Sequence, residues 1–301
     1  MDPERLGTVF VLVGLAVYGL EPVVAELGGL YLAPLLFAGV AALLAGSIAL
    51  VVAKRSGFGA GPARRSDYIR LLFTGFFGTF VAFACLFVGL QLTSSNNAAI
   101  ILRSELVFAL LFGFVFLGET ISPRQAIWMI VMLAGILLVL VTTQAFVVGL
   151  GDLLILVTPA AWATGHTFAK PTLQRVSPWL VVAVRNLVGG SLLLLGFTFG
   201  FVILRAPPVL LPETFMITVV VVAEVVVILL SHGLWYESIR RINLGKATGL
   251  IAPAPLVTFG FSVLLFGLAP TWWQLIGAIL VIAATILLSR ETSLHRRAKP
   301  A

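Results

Sequence analysis

The sequence predicts an all-α membrane protein of ten transmembrane helices, built as two inverted five-helix repeats with both termini in the cytoplasm. Three observations carry this. Of 301 residues, 60% are hydrophobic and only 10% charged, with mean hydropathy +1.13; soluble domains run about 45–50% apolar and about 25% charged. Apolar stretches of roughly 20 residues, enough to cross a bilayer, recur almost without interruption. Sixteen of the nineteen Lys and Arg fall in alternate connections on one side of these stretches, against Arg205 alone on the other. Loop bases resist translocation, so that side is cytoplasmic. The net charge of +7 therefore marks orientation in the cell membrane and argues against a nucleic-acid partner.

The spans run approximately over 6–25, 31–53, 70–91, 96–118, 124–145, 152–171, 178–204, 214–238, 244–267 and 271–289. They leave no room for a soluble domain. The first could pass for a secretory leader, but no small-residue cleavage site follows "GLEPVVAEL", so it reads as a retained helix. The single Cys85 allows no intramolecular disulfide.

Sliding the chain by 149 residues lays "NAAIILRSELVFALLFGFVFLGETISPRQAIWMIVMLAG" on "KATGLIAPAPLVTFGFSVLLFGLAPTWWQLIGAILVIAA" without a gap. Ala98 meets Ala247, Phe112 meets Phe261, Gly118 meets Gly267 and Gln125 meets Gln274. Five spans per unit is an odd number, so the second unit enters from the opposite side. The expected units are 1–146 and 147–290, followed by a basic cytoplasmic tail, 291–301. Inverted repeats of this kind are the architecture of many secondary transporters.

The stretch "SELVFALLFGFVFLGETISPRQ" resembles the fourth-to-fifth-helix signature of the drug/metabolite transporter superfamily, in its ten-helix EamA-type branch. Glu105, Phe108, Leu117, Gly118, Glu119 and Gln125 match that pattern. Leu106 stands where the family usually has Pro, which Pro255 supplies in the second half; Leu268 replaces the second glutamate. "ATGHTFAKPTLQRVSPWLVVAVRNLVGG", with Arg185, is similar to the family's sixth and seventh helices. The resemblance implies a transporter fold and role over the whole chain, and leaves the substrate open among amino acids, other metabolites, sugars and drugs.

Charges inside the spans are the main candidates for a site. An Arg, Lys or Asp at mid-membrane costs about 2.5–3.5 kcal/mol on insertion scales, so each needs a partner or a wet cavity. Glu105 precedes Glu119 by fourteen residues, which places it about 21 Å from the cytoplasmic end of its helix. Arg103, two residues away, points about 200° around the axis, so the two predict separate neighbours rather than a mutual pair. The repeat carries "RSEL" onto "APAP", placing Pro253 and Pro255 opposite the charges. Proline disrupts bonding to the carbonyl four residues back, freeing carbonyls near Gly249 and Ile251. Charge facing bare backbone suggests a substrate-facing centre.

Glu224, near the middle of its span, pairs with Arg103 or Arg185, acts on substrate or protons, or does both. Arg185 lies about 10 Å inside the cytoplasmic face and reads as a snorkelling residue. Glu21, beside Pro22, is a gate candidate or an interfacial carboxylate, with Glu26 just outside. His166 and His232 are proton-relay candidates or packing residues. Tyr18 and Trp162, in corresponding places of the two halves, could line a pocket, whereas Trp235 and Tyr236 read as interfacial belt. Asn96 and Asn97 read as helix caps. No metal-ligand spacing exists and no cofactor is expected.

These features together predict a secondary transporter of small organic metabolites, such as amino acids, with a small-molecule substrate, the lipid bilayer as partner and proton coupling as one mechanism. A lipid-linked headgroup flippase is the alternative. An enzyme should show a nucleophile, acid/base pair or metal constellation at one depth, and a receptor an extramembrane domain; the sequence offers neither.

Overall fold

The computed structural model describes residues 2–56, 64–117, 122–140, 149–203, 213–242, 247, 250–251 and 253–298. Among these there is no strand, and helices succeed one another through short connections. They are α1 (Pro3–Gly29), α2 (Pro34–Arg55), α3 (Arg65–Gly89), α4 (Ser95–Ile101, continued through Leu102–Ser104 to Glu105–Leu117), α5 (Pro123–Leu140), α6 (Leu150–Ala169), α7 (Pro178–Ile203), α8 (Thr214–Ile239), α9 (Ala254–Phe266) and α10 (Trp272–Ala298). Six of them, α1, α2, α3, α4, α7 and α8, are long and apolar enough to cross a membrane, and shorter apolar helices cover Pro123–Ile136, Ala254–Phe266 and Trp272–Leu288.

Helix ends follow from local chemistry. Asp2 accepts from the Glu4 amide at 3.4 Å and Pro3 opens α1, a side-chain cap with proline where no amide is needed. The helix then runs through Pro22 to Gly29, longer than the predicted 6–25. Glu26 therefore lies in the helix, one residue past the predicted span. Its carboxylate accepts from the Ser95 amide at 2.9 Å, and the Ser94 hydroxyl accepts from the Asn97 amide at 3.3 Å. Those two side chains, rather than Asn96 and Asn97, cap α4. Ser122 with Gln125 opens α5 and Thr271 with Gln274 opens α10 by the same reciprocal pairing: each Gln oxygen accepts the first residue's amide, at 2.7 and 2.9 Å, and each hydroxyl accepts the Gln amide at 3.2 Å. Gln125 and Gln274 stand 149 residues apart, which gives a physical role to the glutamine match. Gly267, with φ +67°, closes α9 in the left-handed conformation that glycine adopts without strain. The α10 helix continues through the basic stretch to Ala298, where the sequence reading ends the span at 289.

The surface is apolar and the interior holds charges. Ile130, Leu195, Phe199 and Ile279 are each more than 60% exposed, whereas Glu21, Arg103, Arg185 and Glu224 are at most 7% exposed. This is the distribution expected of helices whose solvent is hydrocarbon. Helix α2 packs along α7, α5 along α10, and α1 along α8 and α9; α3 packs on α6 and α7, and α4 on α6 and α9.

Glycines set the closest crossings. A Cβ on Gly189 of α7 would lie 2.3 Å from the Thr79 Cβ and 2.9 Å from the Gly75 carbonyl oxygen of α3. Small residues permit this backbone approach between helices, where dispersion replaces the hydrophobic effect as the driving force. Gly189→Val should destabilise the protein by about 1–3 kcal/mol through overpacking, measured by thermal unfolding in detergent. Gly200→Ala, whose added Cβ meets nothing within 4 Å, should change stability by less than about 0.5 kcal/mol. Equal losses would contradict the close-crossing account.

Candidate functional site

Two irregularities in the helices bring polar groups to one place. Arg103 lies in a 3₁₀ turn, Leu102–Ser104, that interrupts α4 just before Glu105. A mid-helix 3₁₀ stretch is a common mark of a functional hinge. In α3, Phe76–Val81 form a π-helix, and its Gly78 carbonyl accepts from Arg185 Nη2 of α7.

A small central cavity lies among these elements, lined by Tyr18, Glu21, Arg103, Glu105, Trp162, His166, Arg185, His232, Trp235 and Ile251. Its free volume is about 10 Å³, room for about one water. Arg103 and Glu105 do not pair. Arg103 Nη1 donates to the Ile251 carbonyl at 3.3 Å, the carbonyl four residues before Pro255. Glu105 Oε1 lies 3.2 Å from His166 Nε2. The His166 ring also rests on Trp235, centroid to centroid 5.4 Å, and Trp235 meets Tyr18 edge-on at 5.8 Å.

The predicted candidates divide. Tyr18, Glu21, Arg103, Glu105, Trp162 and His166 all line the cavity. Pro253 and Pro255 do not; they open α9 and leave the Ile251 carbonyl available to Arg103. Glu224 does not line it either. It pairs with neither Arg103 nor Arg185, and both of its carboxylate oxygens are buried without a hydrogen-bond partner among the described residues. Gly118, Glu119, Gly249 and Ala252 lie outside the described residues.

Sequence reasoning read two lining residues, Arg185 and Trp235, as interfacial, and named a third, His232, only as a relay or packing candidate. Arg185 does not snorkel: it is 1% exposed, with Nε donating to the Thr79 hydroxyl at 3.0 Å and Nη1 to the Tyr236 hydroxyl at 3.1 Å. Trp235 and Tyr236 are fully packed residues, not an interfacial belt. His232 is held by Asn186 Nδ2, 3.3 Å from its Nδ1. The family-like Arg185 was the available signal; the π-helix that receives it has no recognisable sequence mark.

Beyond the cavity, the N-terminal end of α4 is tied to its neighbours. Ser95 and Ser262 hydroxyls share a 2.9 Å hydrogen bond, Asn96 donates to the Leu268 carbonyl, and Gln274 Nε2 donates to Asn97 Oδ1 at 2.8 Å. Asp152 accepts from Thr93 at 2.6 Å and from Asn97 at 3.4 Å. Polar side chains from α1, α4, α6, α9 and α10 thus close that end. At the other end of α3 and α6, Arg175 is paired in bidentate fashion with the buried Asp67.

The profile of the EamA-like transporter family matches residues 5–141 and again 149–290. The chain belongs to this family. A probable amino-acid metabolite efflux pump of Salmonella typhimurium is 26% identical, over 89% of this chain and 89% of that protein. Its Escherichia coli namesake is 23% identical over 93% of both. An uncharacterized transporter of Methanothermobacter thermautotrophicus is 24% identical over 70% of this chain, and the match spans 62% of that relative's length. A solved crystal structure, 19% identical, shares the fold with a TM-score of 0.69 over 97% of this chain and 99% of that one. The protein is a multi-pass membrane transporter by family, and these names point to transport rather than enzymatic catalysis.

The polar closure makes a prediction. Removing two of its bonds with Asn97→Ala and Gln274→Ala should raise maleimide labelling of Ala98→Cys about 30-fold, in detergent-solubilised protein carrying Cys85→Ala, because each bond holds about 1 kcal/mol. Unchanged labelling would show that these bonds do not hold the end shut.

Proposed function

We propose that this EamA-family transporter is a secondary transporter of small organic metabolites such as amino acids, moving them by alternating access about the central cavity. The observation that carries the reading is a concentration of unmet hydrogen bonding. Among the described residues, Glu21 Oε1, Arg103 Nε, Trp162 Nε1, His166 Nδ1 and Trp235 Nε1 are all buried without hydrogen-bond partners, and all belong to residues lining one cavity. Each such group costs about 1–3 kcal/mol. A purely structural core gains nothing by keeping five together, whereas a ligand that enters when the site opens would satisfy them.

The proposal includes two inverted repeats, 1–146 and 147–290, ten spans and cytoplasmic termini. Several observations support it. The family profile matches twice. Exchanging each helix for the one five later carries α1 on α8 into α6 on α3, and α1 on α9 into α6 on α4, while α2 on α7, α4 on α9 and α5 on α10 return to themselves. The reciprocal caps at Gln125 and Gln274 obey the same exchange. Such pairing suits two units rocking about a midplane site.

In this scheme Glu105, with His166, and Glu21 receive an amine or a proton. Glu224, outside the cavity lining and without a hydrogen-bond partner among the described residues, fits proton carriage better than substrate contact, since an unpaired ion there would be costly. The two efflux-pump relatives support amino acids or their derivatives as cargo. The flippase alternative needs a basic lateral opening. The groove of about 500 Å³ beside α3, α4 and α6 is lined instead by Phe73, Phe77, Phe112, Phe168, Thr164 and Thr167.

Glu105→Gln removes the charge facing His166 while keeping the size of the side chain. In proteoliposomes it should abolish uptake or uncouple it from an imposed pH gradient, with an unaltered elution profile in detergent. Wild-type flux with wild-type pH dependence would remove Glu105 from the mechanism.

A further inference from the structure

Arg185 is a cavity cation held by neutral hydrogen-bond partners and not by a carboxylate. Among the described residues it forms no ion pair, although Glu21 and Glu105 line the same cavity. Its partners are a threonine hydroxyl, a tyrosine hydroxyl and a backbone carbonyl. A guanidinium has five N–H donors, so hydrogen bonds of this kind leave part of the fork uncommitted. Arg103 is in a similar position: Nη1 is on the Ile251 carbonyl and Nε is unpartnered. Two buried guanidiniums, from α4 and α7, therefore border one small space.

The unmet groups have a direction. Arg103 Nε, Trp162 Nε1 and Trp235 Nε1 can only donate, while the carboxylate oxygen of Glu21 accepts when ionised. The ligand that balances them is rich in acceptors at one part and carries a donor at another. The planar fork of arginine matches carboxylate oxygens in a way that an ammonium cannot.

Arg185 is also held ready. The π-helix of α3 presents the Gly78 carbonyl and the Thr79 hydroxyl side by side, and Thr79 in turn donates to Asn186 Oδ1 at 3.3 Å. Asn186 is anchored on the Val182 carbonyl at 2.9 Å and on His232. A fork fixed by neutral neighbours keeps its charge available and loses little freedom on binding.

We infer that Arg185 anchors a substrate carboxylate, so that the cavity takes a zwitterion whose ammonium faces Glu21 and Glu105. Simple amines and neutral metabolites lack the anionic acceptor that matches this guanidinium. The inference rests on the transporter reading above and narrows its substrate class. It also makes Arg185, rather than the acidic residues alone, the determinant of which metabolites are accepted.

The test is counterflow with the full-length protein in proteoliposomes, using the proteinogenic amino acids. Each one transported is then compared with its decarboxylated amine and its methyl ester as competitors. Both analogues should compete about 10- to 100-fold more weakly, the range expected for losing hydrogen bonds to a charged group. Arg185→Gln should abolish the preference for the amino acid over the amine, and Arg185→Lys should retain part of it. If Arg185→Gln does not fold, the wild-type analogue series decides alone. Equal competition by amine and amino acid, or equal weakening of both in Arg185→Gln, overturns the carboxylate site. Flux of amines or neutral compounds without any amino acid also overturns it and leaves the transporter reading standing. No flux of any compound by correctly folded protein ends both.

Discussion

Placing ions inside a helical bundle whose outside is hydrocarbon is the constraint on which the rest of this structure depends. Glu21, Arg103, Arg185 and Glu224 are buried, where an unpaired charge is expensive. The protein answers with backbone more than with opposite charges. Arg103 finds the Ile251 carbonyl and Arg185 the Gly78 carbonyl. Both acceptors lie at departures from regular α-helix, one ahead of the proline-opened α9 and one within the π-helix of α3. Regular helices keep their carbonyls occupied, so an arginine that must be solvated without a carboxylate needs such departures. Irregular backbone at membrane depth is tolerated where protein or water receives it, and here the guanidinium is the receiver.

That arrangement requires helices to approach closely, which explains the glycine distribution. Gly75, Gly78 and Gly189 lie where α3 meets α7, and a Cβ on Gly165 of α6 would lie 2.9 Å from the Gly78 Cα. These contacts bring the π-helix, Arg185 and His166 to one depth. Substitutions there act on the site through distance and need touch no ligand.

Legibility in the sequence followed the range of the physics involved. The apolar composition, basic-residue asymmetry and 149-residue register are summed over many residues, and they pointed to a helical membrane protein of this family. Pro255 announced a free carbonyl because proline's missing amide is a local covalent fact. Separation of Arg103 from Glu105 was readable from helical angles. The fate of Arg185 was not: depth alone allows snorkelling, and only the π-helix on another element turns the side chain inward. The cap made by Glu26 and the lack of an arginine pair for Glu224 among the described residues were not readable either, since both depend on distant segments. The cap supplied by Glu26 to α4 bridges 69 residues.

The closed cavity bears on how transport could proceed. With room for about one water beside five polar atoms that have no protein partner among the described residues, this compact arrangement holds hydrogen-bonding capacity in reserve. The reserve is released when a ligand or water enters, and entry requires the surrounding helices to part. At the N-terminal end of α4, parting must break several side-chain hydrogen bonds among five helices. Each bond is worth about 1 kcal/mol net, so together they can bias the equilibrium without locking it. A transporter needs both properties: a centre that gains from being filled, and an end closure weak enough for that gain to reverse.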